Sequence, residues 1–292
     1  MTRGILLLDK PTGPTSHDMV YAVRRGAGLK RVGHAGTLDP LATGLLVMCL
    51  GAATRLSEYL AGKDKRYTAT VRLGQTTTTY DAQGEVTAQS ADLPTQAQVE
   101  AALAEFRGPQ QQKPPAFSAI KRGGQKAYEM ARRGEAVDLP ARPVEILSLE
   151  LSACGERECT LKVHCSAGTY IRSLAHDLGQ RLGCGAHLSA LRRTASGGLR
   201  LADAVTLDEL QAAFERGDWR RLVLPADAAV PEWPAVRLAP EGEMRVRRGQ
   251  PVPLEAEGGP FGRAYNSAGE FFAVLRADPA AGVWRPDKVF SD

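Results

Sequence analysis

The sequence lacks the features that would place the protein in a membrane or in a secretory pathway. No apolar run approaches the roughly 18 residues that a membrane-spanning helix requires, although hydrophobic residues make up 43% of the 292 residues. Thr2 and Arg3 lead directly into a strand-like stretch at residues 5–10, which is too short and too soon charged for a signal peptide. We therefore expect a soluble cytoplasmic protein.

Signatures of cofactors and metals are also missing. The sequence contains no P-loop, no dinucleotide-binding fingerprint and no metal-ligand spacing. Its cysteines are odd in number and show no Cys-x-x-Cys pattern of a zinc site; they are Cys49, Cys154, Cys159, Cys165 and Cys184. We expect all five to be small buried side chains kept reduced, and we expect neither a cofactor nor a metal.

Charge is nearly balanced overall but is concentrated in one segment. The formal net charge is +4, whereas residues 113–133 contain six basic residues and one acidic residue, a net charge of +5. This segment, which we call the basic arm, also contains Pro114-Pro115, Gly123-Gly124 and the aromatic residues Phe117 and Tyr128. A solvated surface would explain the charge, but the composition also suits a mobile arm that contacts RNA phosphates and bases.

Hydrophobic periodicity predicts a mixture of helices and strands that do not alternate strictly. Thr15-Ser16 followed by Met19, Val20 and Val23 predicts a capped helix that ends before the following glycines. The apolar run at 44–50 predicts a strand buried on both faces. Further helices are predicted at 96–106, 169–182 and 206–214, and further strands at 67–73, 144–151 and 159–164. This order favours an α+β domain with a mixed, mainly antiparallel sheet.

A cluster of prolines followed by short β-like runs predicts a second, smaller domain at the C-terminal end. Three prolines, Pro225, Pro231 and Pro234, precede short β-like runs at 235–238, 263–266 and 270–276. We place a boundary near residue 230, which gives a large domain at 1–230 and a small β-barrel at 235–292. The smaller part has too few residues for an independent enzyme.

The most informative segment is a glycine-rich loop at residues 33–44, Gly-His-Ala-Gly-Thr-Leu-Asp-Pro-Leu-Ala-Thr-Gly, which leads into the buried strand. Pro40 disfavours helical backbone at Asp39 and presents its carboxylate on a stiff loop. Three glycines allow a bulky ligand, such as a flipped nucleotide, to approach the backbone closely. Taken alone, an aspartate in such a loop is more often a turn residue than a catalytic one.

The complete segment resembles the catalytic motif of the pseudouridine synthases, and specifically of the TruB family, whose bacterial members modify uridine 55 of tRNA. Four further blocks match in order along the chain. They are Leu-Asp-Lys-Pro at 8–11, Asp-Lys-Arg-Tyr at 64–67, Gly-Thr-Tyr-Ile-Arg-Ser-Leu at 168–174 and His-Leu-Ser-Ala-Leu-Arg-Arg-Thr at 187–194. A weaker resemblance, over 245–252 and 269–274, links the C-terminal part to PUA RNA-binding domains, with a purely structural barrel as the alternative.

The resemblance implies three principal site residues. Asp39 corresponds to the essential aspartate of the family, and Arg172 to the arginine that pairs with it and keeps it ionised. Tyr67 corresponds to the tyrosine that stacks on the flipped uracil. On sequence alone, Tyr67 could equally be a core aromatic residue, and Arg172 an arginine on a helix surface.

Five other residues are assigned supporting positions by the same resemblance. His34, Tyr170 and Leu191 match positions that line the uridine pocket or fill the space left by the flipped base. Lys10 and Pro11 match a block that packs against the catalytic loop. Outside the family, His34 would be read as a turn residue, and Tyr170 and Leu191 as core.

The implied reaction detaches uracil at N1 and reattaches it through C5, which involves neither net redox change nor hydrolysis. The carboxylate could act as a nucleophile on the sugar or the base, or as a base that promotes elimination. A closed pocket is needed in each case, because the free base must rotate without escaping. The expected partner is the T stem-loop of tRNA, and we expect a monomer without an obligate protein partner or a membrane.

Three other readings remain open at this stage. The chain could be an RNA-binding tRNA folding factor on an enzyme fold, although an intact set of Asp39, Tyr67 and Arg172 argues against lost catalysis. It could be a guide-RNA-dependent synthase of the dyskerin type, but it lacks the basic tails typical of that type. A nucleoside glycosidase would need a second carboxylate, for which Asp81 is the nearest candidate.

Overall fold

The structure is a computed structural model that describes residues 2–118, 120–135, 137–254 and 259–290. The elements of its larger part occur in the following chain order: β1 (Gly4–Lys10), α1 (Ser16–Ala27), β2 (Val32–His34), β3 (Thr43–Leu50), α2 (Ser57–Ala61), β4 (Lys65–Leu73), β5 (Gln75–Thr77), β6 (Val86–Gln89), α3 (Gln96–Glu105), β7 (Gly108–Gln112), β8 (Lys121–Arg122), β9 (Gln125–Lys126), α4 (Ala127–Arg132), β10 (Arg142–Cys154), β11 (Glu158–Cys165), α5 (Ile171–Arg181), β12 (Ala186–Ser196), β13 (Leu199–Arg200), β14 (Val205–Thr206) and α6 (Leu207–Arg216). Short 3₁₀ helices lie at Gly51–Leu56, Leu201–Asp203, Trp219–Leu222 and Ala226–Ala229.

One large sheet organises this part of the chain. Its main path is β14-β1-β3-β12-β4-β11-β10-β7, with β2 added to β3 and β13 added to β12. The pairs β1–β14 and β3–β12 are parallel, and the other neighbours in the sheet are antiparallel. The predicted α+β fold with a mixed, mainly antiparallel sheet is therefore confirmed.

Helix α1 forms where its cap and its apolar spacing predict it. Thr15 caps the helix together with Asp18, each side chain accepting a hydrogen bond from the backbone N–H of the other residue. Gly28 ends the helix in the left-handed region at a φ of 64°. The first helical residue, Ser16, is buried, and its hydroxyl exchanges hydrogen bonds with the backbone N–H and carbonyl of Leu38. The first turn of α1 thus holds the residue that precedes Asp39.

Strand β3 is covered on both faces, as its unbroken apolar run predicts. Leu46, Met48 and Leu50 belong to the core that α1 covers. Leu45 and Val47 face a second core, which is shared with the C-terminal part of the chain. Full burial of a leucine is worth about 1.5 to 3 kcal/mol, so this strand is a rigid base for the loop that enters it.

The C-terminal part forms a second sheet of five strands, in the order β15-β17-β18-β19-β16. Its elements are β15 (Ala235–Arg237), α7 (Pro240–Arg247), β16 (Val252–Pro253), β17 (Phe261–Tyr265), β18 (Phe271–Asp278) and β19 (Val283–Val289). A separate apolar core lies around the fully buried Trp284, while Phe271 and Phe290 pack against the core below β3. This arrangement is consistent with a PUA-like domain. Residues 255–258, 291 and 292 of the predicted barrel lie outside the described residues.

The basic arm contains a small hairpin, β8–β9, followed by helix α4. Its first residues are attached to α5, because Ser173 Oγ donates to the carbonyl of Lys113 at 2.8 Å and Arg172 Nη2 donates to that of Phe117 at 3.0 Å. Residue 119 and the side chains of Lys121, Arg122, Lys126 and Arg132 lie outside what the structure describes. The mobility of the arm therefore stays a prediction.

The expectation that all five cysteines are reduced is wrong for one pair. Cys154 and Cys159 form a disulfide near the hairpin end of β10 and β11. They are directly opposed in the antiparallel pair, with Cα atoms 4.1 Å apart, so that the strand register brings the thiols together. Cys49, Cys165 and Cys184 are free and buried, as expected.

Candidate active site

A buried lysine holds the loop that carries Asp39 through hydrogen bonds to its backbone. Lys10, at the end of β1, has no exposed surface, and its ammonium group donates to the carbonyls of Ala42 at 2.7 Å, Pro11 at 2.9 Å and Pro40 at 3.4 Å. Burial lowers the pKa of Lys10 to about 8, while the negative charges of Asp39 and Asp18 oppose that change. Lys10 thus contacts the loop that carries Asp39, whereas the supporting role of Pro11 stays a prediction.

A buried arginine that sequence reasoning did not single out holds the loop from the side of the sheet. Arg193, on β12, is 1% exposed and donates to the carbonyls of Leu45 at 2.7 Å, Gly36 at 3.0 Å and Thr37 at 3.4 Å. Gly44 permits this approach, since an added Cβ would lie 2.3 Å from the carbonyl oxygen of Arg193, and its φ is 96°. The motif glycine is therefore required by strand packing.

Above this loop lies a cavity of about 250 Å³. Five of the predicted site residues line it together: Asp39, Tyr67, Tyr170, Arg172 and Leu191. The cavity wall also includes polar residues to which the sequence analysis assigned no role, namely Lys65, Ser118, Ser166, Thr169 and Arg193. The elements that supply these side chains are far apart in the sequence, so the cavity exists only in the assembled fold.

Asp39 and Arg172 form the central ion pair of this cavity. Arg172 Nε lies 2.9 Å from Asp39 Oδ2, and the arginine side chain is 7% exposed whereas the aspartate is 38% exposed. Burial raises the pKa of Asp39, the positive charge of Arg172 opposes this, and Asp81 adds to the increase. The arginine thus favours the carboxylate in a place where burial alone would favour the neutral acid.

Arg172 also contacts two other parts of the chain, the turn after β5 and the basic arm. Its Nη1 lies 3.4 Å from Asp81 Oδ2 and donates to the carbonyl of Thr79 at 3.2 Å, and its Nη2 reaches Phe117 in the basic arm. Asp81 is buried, and Oδ1 accepts hydrogen bonds from Thr79 Oγ1 at 2.6 Å and from the backbone N–H of Gln83 at 3.0 Å. Because all these contacts cross the interior, the reading of Arg172 as a surface arginine is wrong.

Two tyrosines form part of the wall. Burial raises the pKa of Tyr67, with the charge of Arg193 opposing the change, so the phenol stays protonated. Burial likewise raises the pKa of Tyr170. The backbone of Tyr170 is fixed by a reciprocal pair of hydrogen bonds with the side-chain amide of Gln112, at 2.8 and 3.0 Å. This amide is itself buried, so it sets the position at which α5 begins.

His34 stands outside the residues that line the cavity. It belongs to β2, which pairs with β3, and its Nδ1 is buried without a hydrogen-bond partner among the described residues. Burial lowers the pKa of His34, and the positive charge of Arg193 lowers it further. The imidazole is therefore neutral at pH 7, and its place in the site remains a prediction.

Asp81 is the functional candidate that sequence reasoning undervalued. The sequence suggests it only as a second carboxylate for a glycosidase, yet it stands outside the residues lining the cavity and lies 3.4 Å from Arg172 Nη1. The signal that could have found it is the polar run Thr79-Tyr80-Asp81 directly after a strand. Within the described ranges, no three His, Cys, Asp or Glu side chains are grouped as metal ligands, and no helix is long and apolar enough to cross a membrane.

Comparison with known protein families identifies the family of the chain. Residues 24–171 match the TruB family pseudouridylate synthase N-terminal domain, and residues 172–231 match the tRNA pseudouridylate synthase B C-terminal domain. Among relatives named tRNA pseudouridine synthase B, that of Burkholderia pseudomallei is 45% identical over 98% of this chain and 96% of its own. The Opitutus terrae protein is 50% identical over 72% and 87%, respectively.

Solved structures with the same fold cover nearly the whole chain. A structure of an H/ACA RNP bound to a substrate RNA containing 2'-deoxyuridine matches at a TM-score of 0.76 and 26% identity, over 99% of this chain and 85% of that one. A Cbf5-Nop10-Gar1 complex matches with the same TM-score and coverage at 28% identity. The family expected from the motif around Asp39 is thus confirmed: the chain belongs to the TruB family of pseudouridylate synthases.

Proposed function

We propose that this protein isomerises uridine 55 in the T loop of tRNA to pseudouridine. The observation that carries the proposal is the Asp39 carboxylate, paired with the buried Arg172 at the wall of a small cavity. A cavity of about 250 Å³ is at the small end of ligand sites and suits a single base taken out of its stack. The relatives named tRNA pseudouridine synthase B support tRNA as the substrate.

The chemistry assigned to the site needs one carboxylate and a pocket that excludes water. Asp39 acts as a nucleophile on the sugar or base, or as the base that promotes elimination at the sugar. Arg172 orients Asp39 and opposes the rise in its pKa that burial causes. The ring of Tyr67 provides a surface on which the flipped uracil stacks while it is free to rotate.

The other predicted residues have supporting roles in this proposal. Tyr170 and Leu191 close the sides of the pocket that the base occupies. His34, a neutral residue near the start of the glycine-rich loop at 33–44, fills the space that the flipped base leaves in the T loop of tRNA. Lys10 donates hydrogen bonds to the carbonyls of Pro11, Pro40 and Ala42 and thereby fixes the position of the loop that presents Asp39.

The organisation of the chain follows from the same proposal. Residues 1–230 form the catalytic domain, in which residues 113–133 are the arm that contacts RNA, and residues 235–292 form a PUA-like RNA-binding domain. The protein acts as a cytoplasmic monomer on tRNA without an obligate partner. The Burkholderia pseudomallei relative, which aligns over 96% of its length, is named as a tRNA enzyme, and this supports tRNA as the partner.

The alternatives are less well supported by the site. A pure folding factor would not need a buried Arg172 aimed at a loop carboxylate. A dyskerin-type synthase fits the fold of the H/ACA structures, but the curated relatives at 45–50% identity are named as tRNA synthases. A glycosidase would need a second carboxylate in the cavity, whereas Asp81 is turned toward Arg172.

The test is a map of pseudouridine in cells with and without this protein. RNA from both strains is treated with a pseudouridine-specific reagent, and reverse-transcription stops are compared. We expect the stop at position 55 of tRNAs to vanish in the deleted strain and to return with the wild-type gene but not with an Asp39→Asn gene. A stop at 55 that persists in the deleted strain would overturn the proposal.

A further inference from the structure

Two rings outside the cavity stack closely beside the catalytic arginine. The ring of Tyr80 lies parallel to that of His176, with centroids 3.8 Å apart and an interplanar angle of 11°. Tyr80 precedes Asp81 in the turn after β5, and His176 lies one helical turn after Arg172 on α5. Neither residue lies in the motif blocks that identify the family.

The stack is the second of two adjacent attachments between this turn and α5. At the first attachment, Arg172 Nη1 reaches Asp81 Oδ2 at 3.4 Å and the carbonyl of Thr79 at 3.2 Å. At the second, one turn further along the helix, Tyr80 covers His176. These two attachments join the turn to α5, while backbone hydrogen bonds of Tyr80 and Ala82 with Leu188 join its other side to β12.

The backbone at Tyr80 adopts a conformation that needs such support. Its φ is 63°, and among the described residues it is the one non-glycine residue with a positive φ. Such a conformation is uncommon for a bulky side chain and persists only where the surroundings hold it. The support on the sheet side is a hydrogen bond from the backbone N–H of Leu188 to the carbonyl of Tyr80, at 3.0 Å.

His176 contributes its ring face to this contact. Burial lowers its pKa, and its Nδ1 is buried without a hydrogen-bond partner in the described part of the chain. The imidazole is therefore neutral at pH 7 and takes no part in an ion pair. A neutral aromatic face is what the parallel stack with Tyr80 uses.

We propose that Tyr80 and His176 are positioning residues, whose stack holds Asp81 against Arg172 and thereby orients the guanidinium toward Asp39. This inference rests on the proposed role of Asp39. Neither ring lines the cavity, so the stack acts through Arg172 and not on the uridine. Its loss should therefore slow the chemical step without weakening the capture of RNA.

The experiment measures single-turnover tritium release from a tRNA transcript labelled at uracil C5, together with its dissociation constant. For Tyr80→Ala and His176→Ala we expect the rate constant to fall about fivefold to tenfold, with the dissociation constant unchanged within about twofold. Tyr80→Phe and His176→Phe keep an aromatic face and should retain most of the rate. Tyr80→Gly removes the backbone strain and the ring together, so it should be as slow as Tyr80→Ala.

Each result has a defined consequence. Wild-type rates in both alanine variants would overturn the proposal, as would a wild-type rate in Tyr80→Gly, or a loss that the phenylalanine variants do not rescue. Weaker tRNA binding with an unchanged single-turnover rate constant would also contradict the proposal. If the wild type itself releases no tritium from tRNA, the proposed function fails instead. A crystal structure of His176→Ala then still tests the stack, since Asp81 and Arg172 should separate beyond 4 Å.

Discussion

Arg172 Nε lies 2.9 Å from Asp39 Oδ2, and this ion pair joins the glycine-rich loop at residues 33–44 to helix α5, which begins far along the chain. The same guanidinium contacts Asp81 and the carbonyl of Phe117. One arginine side chain therefore connects Asp39 with the turn after β5 and with the start of the basic arm.

Replacing Asp39 with asparagine should abolish isomerisation and leave tRNA binding within several-fold of the wild type. Asparagine keeps the shape of the side chain but loses the charge on which nucleophilic or basic chemistry depends. Tritium release from the C5-labelled transcript and a binding titration are the measurements. Asp92→Asn, at an exposed position, is the matched control and should turn over normally. Near-normal turnover by Asp39→Asn would show that Asp39 is not the catalytic carboxylate.

Tyr67→Phe should slow turnover far less than Tyr67→Ala. Stacking needs only the ring, and a stacked base is worth about 1 to 3 kcal/mol. The hydroxyl would matter only for a subsidiary proton transfer, and the protonated phenol beside Arg193 is compatible with either role. Single-turnover rates of both variants decide the point. Equal inactivity of the two would mean that stacking is not the main contribution of Tyr67.

Titration of Lys10 should affect activity and stability in opposite directions. Its native pKa of about 8 lies below the ordinary 10.5 because of burial. Between these values the unfolded chain holds a proton that the native protein has lost, so the contribution of Lys10 to the free energy of unfolding rises with pH. Activity should fall as pH passes about 8, since a neutral amine lacks a third N–H for the carbonyls of Pro11, Pro40 and Ala42.

The control for this prediction comes from a second lysine. Burial also lowers the pKa of Lys65, in the cavity wall, to about 8. Profiles of kcat against pH are therefore recorded for Lys10→Arg and Lys65→Arg, since arginine stays charged over this range. We expect Lys10→Arg to lose the alkaline decline. If only Lys65→Arg loses the alkaline decline of kcat, the decline arises from Lys65 and not from Lys10.

Neutralising Lys121, Arg122 and Lys126 together should weaken tRNA binding and lower its dependence on salt. If about three cations of the arm contact phosphates, the slope of log affinity against log salt should fall by roughly 2 to 3 units. The matched control neutralises Arg181, Arg216 and Arg221, each of which already lies within 4 Å of an acidic side chain. An unchanged slope in the arm variant would rule out the contact.

Hydrogen exchange of residues 113–133 tests whether the arm closes. We expect weak protection in the free protein and strong protection with tRNA, because phosphates relieve the repulsion among its cations and order the segment. The attachments of Lys113 and Phe117 to α5 limit this motion to the residues beyond them. Strong protection without tRNA would show that hairpin β8–β9 and α4 are a rigid surface.

Local sequence signals were sufficient for the elements whose stability is local. The cap at Thr15 and the spacing of Met19, Val20 and Val23 predicted α1, and the apolar run predicted the doubly buried β3. The motif around Asp39 predicted the family, since its residue order is a property of the chain itself. These features depend on neighbours a few residues apart, which is why one sequence was enough.

The tertiary structure alone decided which distant residues meet. Nothing in the polar sequence of β12 indicated a strand in the middle of the sheet, because its buried Arg193 and His187 break the apolar alternation. The pairing of Cys154 with Cys159 followed from strand register, and the contacts of Arg172 with Asp81 followed from the packing of α5. Each of these depends on the burial of polar groups that only partners from remote segments can satisfy.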